Sequence, residues 1–235
     1  MATPRLAGDL WQSVDERGYP AIIGHASGNS VQGARDAVRD GADFVEVDVW
    51  FRKSEFEARH ERRMGPIPLL FERWYLRFAP PSPFTLQSLL AEMRDDTGVL
   101  LDLKNSQHET AAGVAAILRE APGNVRVMAS SQWWPGLRRL HDRAPGVELY
   151  YSIDVEAKLD LFRSIIRRDH RPSGVSCRES LLTPALIREM HDHSLRVIAW
   201  TVDDLSRAAR LASWGVDGIT THLVQEMHAL LVPHP

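Results

Sequence analysis

The sequence predicts a (β/α)8 barrel of the TIM type, and three observations carry that prediction. Short β-branched or apolar runs alternate with longer amphipathic ones along the chain, eight such β-then-α units fit into 235 residues, and no G-x-G-x-x-G or G-x-x-x-x-G-K-[ST] stands at a strand–helix turn. Strict alternation argues for a parallel sheet. Eight units at this length match a closed barrel better than an open doubly wound sheet, and the missing glycine-rich motifs weaken the nucleotide-binding alternative.

The expected strands are 21–24, 43–49, 98–103, 124–129, 147–152, 174–177, 196–202 and 216–220. Between them lie helical patterns with clear boundaries. Ser30 opens one and Gly41 closes it. Thr183-Pro184 supplies an N-cap followed by proline at the first helical position, and Asp203 or Asp204 caps a helix that ends at Gly215. Residues 61–83, rich in Pro, Arg and aromatics, read as an extended loop after the second strand. Its aromatics at 71–78 are expected to anchor the loop on the barrel. With no repeat, low-complexity run or splitting linker, residues 1–235 read as one domain.

Composition narrows the function classes. A hydrophobic fraction of 44% and a charged fraction of 25% are ordinary for a soluble globular protein. The balance of 28 basic and 31 acidic residues gives a net charge of −3, which provides no global field for nucleic acid. The lone Cys177 excludes an intramolecular disulfide and a thiolate cluster, and its apolar flanks mark it as a core residue. No apolar run approaches the roughly 20 residues of a membrane span, and the N-terminus has no apolar leader core. The expectation is a cytoplasmic protein without stable membrane insertion. Oligomeric state leaves no mark in the sequence.

In such a barrel, reacting groups sit at the C-terminal ends of strands. That rule selects His25 after the first strand, Glu46 and Asp48 on the second, Asp102 and Lys104 on the third, Trp200 on the seventh and His222 after the eighth. Glu46 and Asp48 stand two residues apart, so a strand turns both to one face and Val45, Val47 and Val49 to the other. Asp102 repeats the pattern on the next strand, between Leu101 and Leu103. Three carboxylates gathered in a barrel interior need a cation or a proton between them, and hard oxygens suit Mg²⁺ or Ca²⁺. His25 and His60 flank the cluster with groups that titrate near neutrality, as a general base and a general acid require. His108, His141, His170, His191, His193 and His234 fall in helical or loop patterns and are assigned to the surface.

These residues resemble the glycerophosphodiester phosphodiesterase family. The resemblance is carried in order by GHASGNS at 24–30, GADFVEVDV at 41–49, RHE at 59–61, LDLK at 101–104, AWTVDD at 199–204 and GVDGITTH at 215–222. It implies a barrel in which Glu46, Asp48 and Asp102 hold a divalent cation and His25 and His60 act as acid and base. Lys104 would hold a phosphate oxygen, Trp200 would line the substrate pocket, and Asn29 would belong to the substrate site. The implied reaction is hydrolysis of a glycerophosphodiester to an sn-glycerol phosphate and an alcohol.

The departures are specific. Ala26 stands where the family has arginine, Gly28 where it has an acid before Asn29, Asp102 where it has Glu, Glu61 after His60 where it has Asp, and His222 where it has Asp. Asp102-Leu103-Lys104 and the missing arginine are similar to the related sphingomyelinase D/phospholipase D enzymes, which implies choline phospholipids as an alternative substrate. A barrel that binds a phosphorylated ligand without turning it over is the remaining alternative. The expected partner is a small-molecule or lipid-derived phosphodiester.

Overall fold

The computed structural model describes residues 8–52, 55–72, 75–93, 97–105, 108–121 and 125–233. The strands, in chain order, are β1 (Ala21–Gly24), β2 (Phe44–Arg52), β3 (Glu55–Ala58), β4 (Arg62–Arg63), β5 (Leu69–Glu72), β6 (Tyr75–Phe78), β7 (Gly98–Leu103), β8 (Val127–Ser131), β9 (Glu148–Ile153), β10 (Pro172–Arg178), β11 (Arg196–Trp200) and β12 (Gly218–Thr221). Eight of them pair in parallel in the order β1-β12-β11-β10-β9-β8-β7-β2, and β1 pairs with β2 to close the barrel. Helices lie between successive barrel strands.

The alternation read in the sequence is the alternation observed. Val45, Val47 and Val49 of β2, and Val99, Leu101 and Leu103 of β7, join the large core between sheet and helices. The intervening residues point inward. Cap signals also act as expected: the Ser30 side chain accepts from Gly33 N, Thr183 from Leu186 N and Asp204 from Arg207 N. Gly41 and Gly215 take φ of +95° and +88° just past their helices, a conformation that costs residues with a Cβ. The expected strand at 124–129 begins at Val127, and Asn124 lies outside the described residues.

An element that the sequence reading did not anticipate fills the lower end of the barrel. The helix Gly8–Arg17 inserts Trp11 among Ile23, Phe44, Leu100, Met128, Tyr150 and Ile198. The Trp11 indole N–H and the Tyr150 hydroxyl both donate to Glu148 Oε2, each at 2.9 Å, and the Arg196 guanidinium lies 4.6 Å from the Trp11 ring centroid. Apolar packing thus occupies one end of the barrel and leaves the polar inward residues at the other.

Residues 61–83 depart from the expected loop. β2 runs on past the barrel into an antiparallel hairpin with β3, Val49 opposite Ala58, and β4, β5 and β6 form a separate three-stranded antiparallel sheet. Its strands are only two to four residues long, too short between prolines for the period-two pattern to stand out. The described aromatics do not anchor this sheet. Phe71, Tyr75 and Phe78 are 37%, 50% and 77% exposed, while Leu70 at 1% is the buried contact. A sheet has one face to give to the barrel, and here Leu70 and the Arg77–Glu61 ion pair take it. Trp74 lies outside the described residues.

Candidate active site

The acidic cluster forms where parallel pairing puts it. β2 and β7 align Asp48 beside Asp102, and Glu46 lies one inward position below Asp48. An oxygen from each of Glu46, Asp48 and Asp102 lies within 4.8 Å of the others. Glu46 and Asp48 are buried. Lys104, immediately past the end of β7, places Nζ 2.6 Å from Asp48 Oδ1 and against Asp102 Oδ2.

The loop after β1 braces this cluster. Ala26 takes the left-handed conformation, φ 52°, and its backbone N–H donates to Glu46 Oε2 at 2.6 Å. The following turn, Ser27–Asn29, lies flat on β2. A Cβ at Gly28 would stand 2.9 Å from Val47 Cβ and 3.0 Å from the Glu46 carbonyl oxygen, so only glycine permits the approach. Asn29 then grips Asp48 twice: its amide donates to Oδ2 at 2.6 Å, and its Oδ1 accepts from Asp48 N at 2.9 Å. The structure thus turns the Asn29 amide toward Asp48, where the sequence reading had it among the substrate-binding groups.

His25 Nδ1 lies 3.4 Å from Glu46 Oε2, and the His25 and His60 ring centroids are 6.0 Å apart. His60 Nδ1 is 2.8 Å from Glu72 Oε1 of β5. His222 packs edge-on against His25 at 4.6 Å and is held at Nδ1 by Asp203 Oδ2 at 2.8 Å. The sequence placed His222 at the rim but gave it no partner. Glu72 carries no mark in the sequence and Asp203 reads there only as a possible helix cap, a role that Asp204 takes, since nothing local marks a carboxylate that meets its histidine only through space. His191, assigned to the surface, pairs with Asp217 at the opposite end of the barrel.

Burial and mutual repulsion shape the charges. Burial first, then Asp48 and Asp102, lifts the Glu46 carboxyl well above the usual carboxylate range. Burial also lifts Asp102, against the pull of Lys104. Burial opposes the charge on Lys104, but attraction from Asp102, Asp48 and Glu46 outweighs it and keeps the ammonium protonated. Burial, then the neighbouring His222, pushes His25 down to about 4, so its imidazole is neutral at pH 7.

A cavity of about 220 Å³ at the barrel mouth is lined by His25, Glu46, His60, Asp102, Lys104 and Trp200, among others. The Trp200 indole N–H and the Thr220 hydroxyl of the same cavity are buried without a hydrogen-bond partner among the described residues, as donors meant for a polar ligand would be. A second cavity of about 630 Å³ shares His60, Asp102 and Lys104 and runs outward past Trp50, Phe71 and Trp133. Within the cluster three carboxylates face one ammonium, and their hard oxygens fit a divalent cation.

Fold and site together define a TIM barrel whose mouth gathers acids, a lysine and two histidines around a polar cavity. The model of the glycerophosphoryl diester phosphodiesterase family matches residues 92–226. YhdW of Bacillus subtilis, which bears a provisional glycerophosphodiester phosphodiesterase name, is 23% identical over 224 residues, spanning 84% of this chain and 90% of that protein. Two solved structures share the fold at low identity. An Oleispira antarctica phosphodiesterase in complex with its product sn-glycerol-3-phosphate superposes with a TM-score of 0.73 and 16% identity, covering 90% of this chain and 96% of that one. A glycerophosphodiester phosphodiesterase from Agrobacterium tumefaciens superposes with a TM-score of 0.68 and 19% identity, covering 89% and 99%. The chain belongs to the glycerophosphoryl diester phosphodiesterase family and is a phosphoric diester hydrolase.

Proposed function

We propose that this chain hydrolyses a glycerophosphodiester to an sn-glycerol phosphate and an alcohol, with Glu46, Asp48 and Asp102 holding Mg²⁺ or Ca²⁺. The observation that carries the reading is the convergence of three carboxylate oxygens within 4.8 Å, beside two histidines at one barrel mouth. When bound, the cation supplies charge stabilisation and a template for phosphate and hydroxyl oxygens. His25, neutral and half-buried, accepts the proton from the attacking oxygen. His60, fixed at Nδ1 by Glu72, keeps Nε2 for the leaving alkoxide, to which it delivers a proton. Lys104 offsets charge on the non-bridging oxygens, and Trp200 lines the pocket with its indole N–H directed to a ligand oxygen. Asn29 acts through Asp48, holding the carboxylate in place.

The charge lost at Ala26 has two replacements at the mouth. Arg178 ends β10 and lies 5.8 Å from the Trp200 ring centroid, and Arg62 lines the outer cavity. Either guanidinium can supply a phosphate contact. The test is release of alcohol from glycerophosphocholine with each metal. Turnover that needs the cation and falls about 10²–10⁴-fold in His25→Ala or His60→Ala is expected. Absence of turnover across a phosphodiester panel with both metals sinks the proposal.

A second reading, cleavage of a lipid diester, is favoured by the outer cavity, where Trp50, Phe71, Leu103 and Trp133 offer an apolar wall beside the acids. Turnover of lysophosphatidylcholine or sphingomyelin with none of glycerophosphocholine selects it.

A further inference from the structure

Among the described residues, the β4–β5–β6 sheet leaves one face largely exposed. Pairing sets Phe71 opposite Leu76 and Arg62, and Leu69 opposite Phe78, so period two gathers Leu69, Phe71, Leu76 and Phe78 on the side away from Leu70. Leu76 and Phe78 are 63% and 77% exposed, and Met64 and Ile67 of the preceding turn add 44% and 49%. A contiguous apolar face of this kind marks an interaction surface.

We propose that this face docks the protein on an anionic lipid surface and seats the cavity mouth against it. Two observations select that occupant. First, the face is continuous with the cavity: Phe71 belongs to both, and the cavity leads inward to His60, Asp102 and Lys104. A folded protein on the face would cover the mouth, whereas a lipid assembly presents phosphodiesters to it. Second, Arg62, in register with Phe71, has no carboxylate partner among the described residues and stands at the edge of the apolar face, a pairing that suits anionic headgroups over acyl chains. Trp133, 45% exposed, lines the other wall of the mouth, and amphipathic rings favour the lipid–water interface. Docking of this kind is reversible and needs no spanning segment; no described helix is long and apolar enough to cross a membrane.

The experiment is co-sedimentation of the full chain with vesicles of phosphatidylcholine alone and of equal parts phosphatidylcholine and phosphatidylglycerol, a readout independent of turnover. Wild type is expected to partition onto the mixed vesicles. The double variant Leu76→Ser/Phe78→Ser, altered only at exposed positions, should lose at least about tenfold in partitioning and keep its circular dichroism and its turnover of a soluble diester. Arg62→Gln should cut the preference for anionic over neutral vesicles about fivefold. The proposal is overturned if wild type stays in the supernatant, or if the double variant binds as wild type does. It is equally overturned if ultracentrifugation shows a dimer that the double variant dissociates, for the face then belongs to a second copy of the chain.

Discussion

Replacing Glu46 with Gln removes one charge from the acidic cluster and keeps its shape. Carboxylate oxygens within 4.8 Å of each other repel by about 3.5 kcal/mol per pair at an effective dielectric constant of about 20. Glu46 faces two such partners, and attraction to the single Lys104 ammonium cancels roughly one of those two repulsions, so neutralising it relieves on the order of 3 kcal/mol. The Gln amide oxygen still accepts the Ala26 N–H. Each kcal/mol moves Tm by about 2–4 °C in a chain of this size, so metal-free Glu46→Gln should melt above metal-free wild type, by up to about 6–12 °C. A divalent cation at about a hundred times its Kd adds about 2.7 kcal/mol to wild type, a rise of about 5–11 °C. In the variant that rise should fall below about 2 °C. Scanning fluorimetry with EDTA, then with Mg²⁺ or Ca²⁺, measures all of these values. A metal-free variant that melts below wild type refutes the repulsion argument, and an undiminished cation shift removes Glu46 from the ligand set.

Trp11→Ala should cost about 3–5 kcal/mol, as for other buried Trp truncations, and lower Tm by about 10 °C, while kcat per folded molecule at low temperature stays unchanged; a lost kcat in folded protein would show that the plug also shapes the mouth. Glu72→Gln should lower kcat about tenfold by freeing the His60 ring and leave Tm and KM nearly unchanged, so a KM effect alone would place Glu72 on substrate. Burial pushes the Cys177 thiol up to about 12, so at pH 8 a thiol reagent should label it only as fast as the protein opens, and at once in denaturant. Native labelling within the reagent's mixing time would contradict the 1% exposure of that residue.

What the sequence reveals of the site follows from which contacts are local. Valines at 45, 47 and 49 against acids at 46 and 48 state the inward face of β2 without any knowledge of neighbours, and Leu101-Asp102-Leu103-Lys104 does the same for β7. Parallel pairing then brings Asp48 beside Asp102. Through-space partners leave no such trace. The Asn29 clamp on Asp48 and the packing of His222 on His25 join residues from different units, and the Glu72 contact to His60 crosses within the excursion after β2; each depends on loop paths that alternation does not specify. Residues 61–83 were obscured because prolines flank strands of two to four residues, so a period-two signal had no length over which to show.

The two ends of the barrel depend on one another. A barrel of eight strands encloses just enough room for side chains, and Trp11, Phe44, Leu100 and Tyr150 fill the lower part with apolar volume and a satisfied Glu148. That packing holds β2 and β7 at a fixed spacing. Higher on the same strands, Glu46, Asp48 and Asp102 therefore cannot relax away from one another, and the burial and repulsion that together lift the Glu46 carboxyl are held in place by the apolar plug beneath it. A cation that satisfies those oxygens recovers this energy on binding. The cluster is accordingly a cost to the metal-free fold, and on the proposed function the same geometry would offset that cost when a divalent ion binds beside His25 and His60.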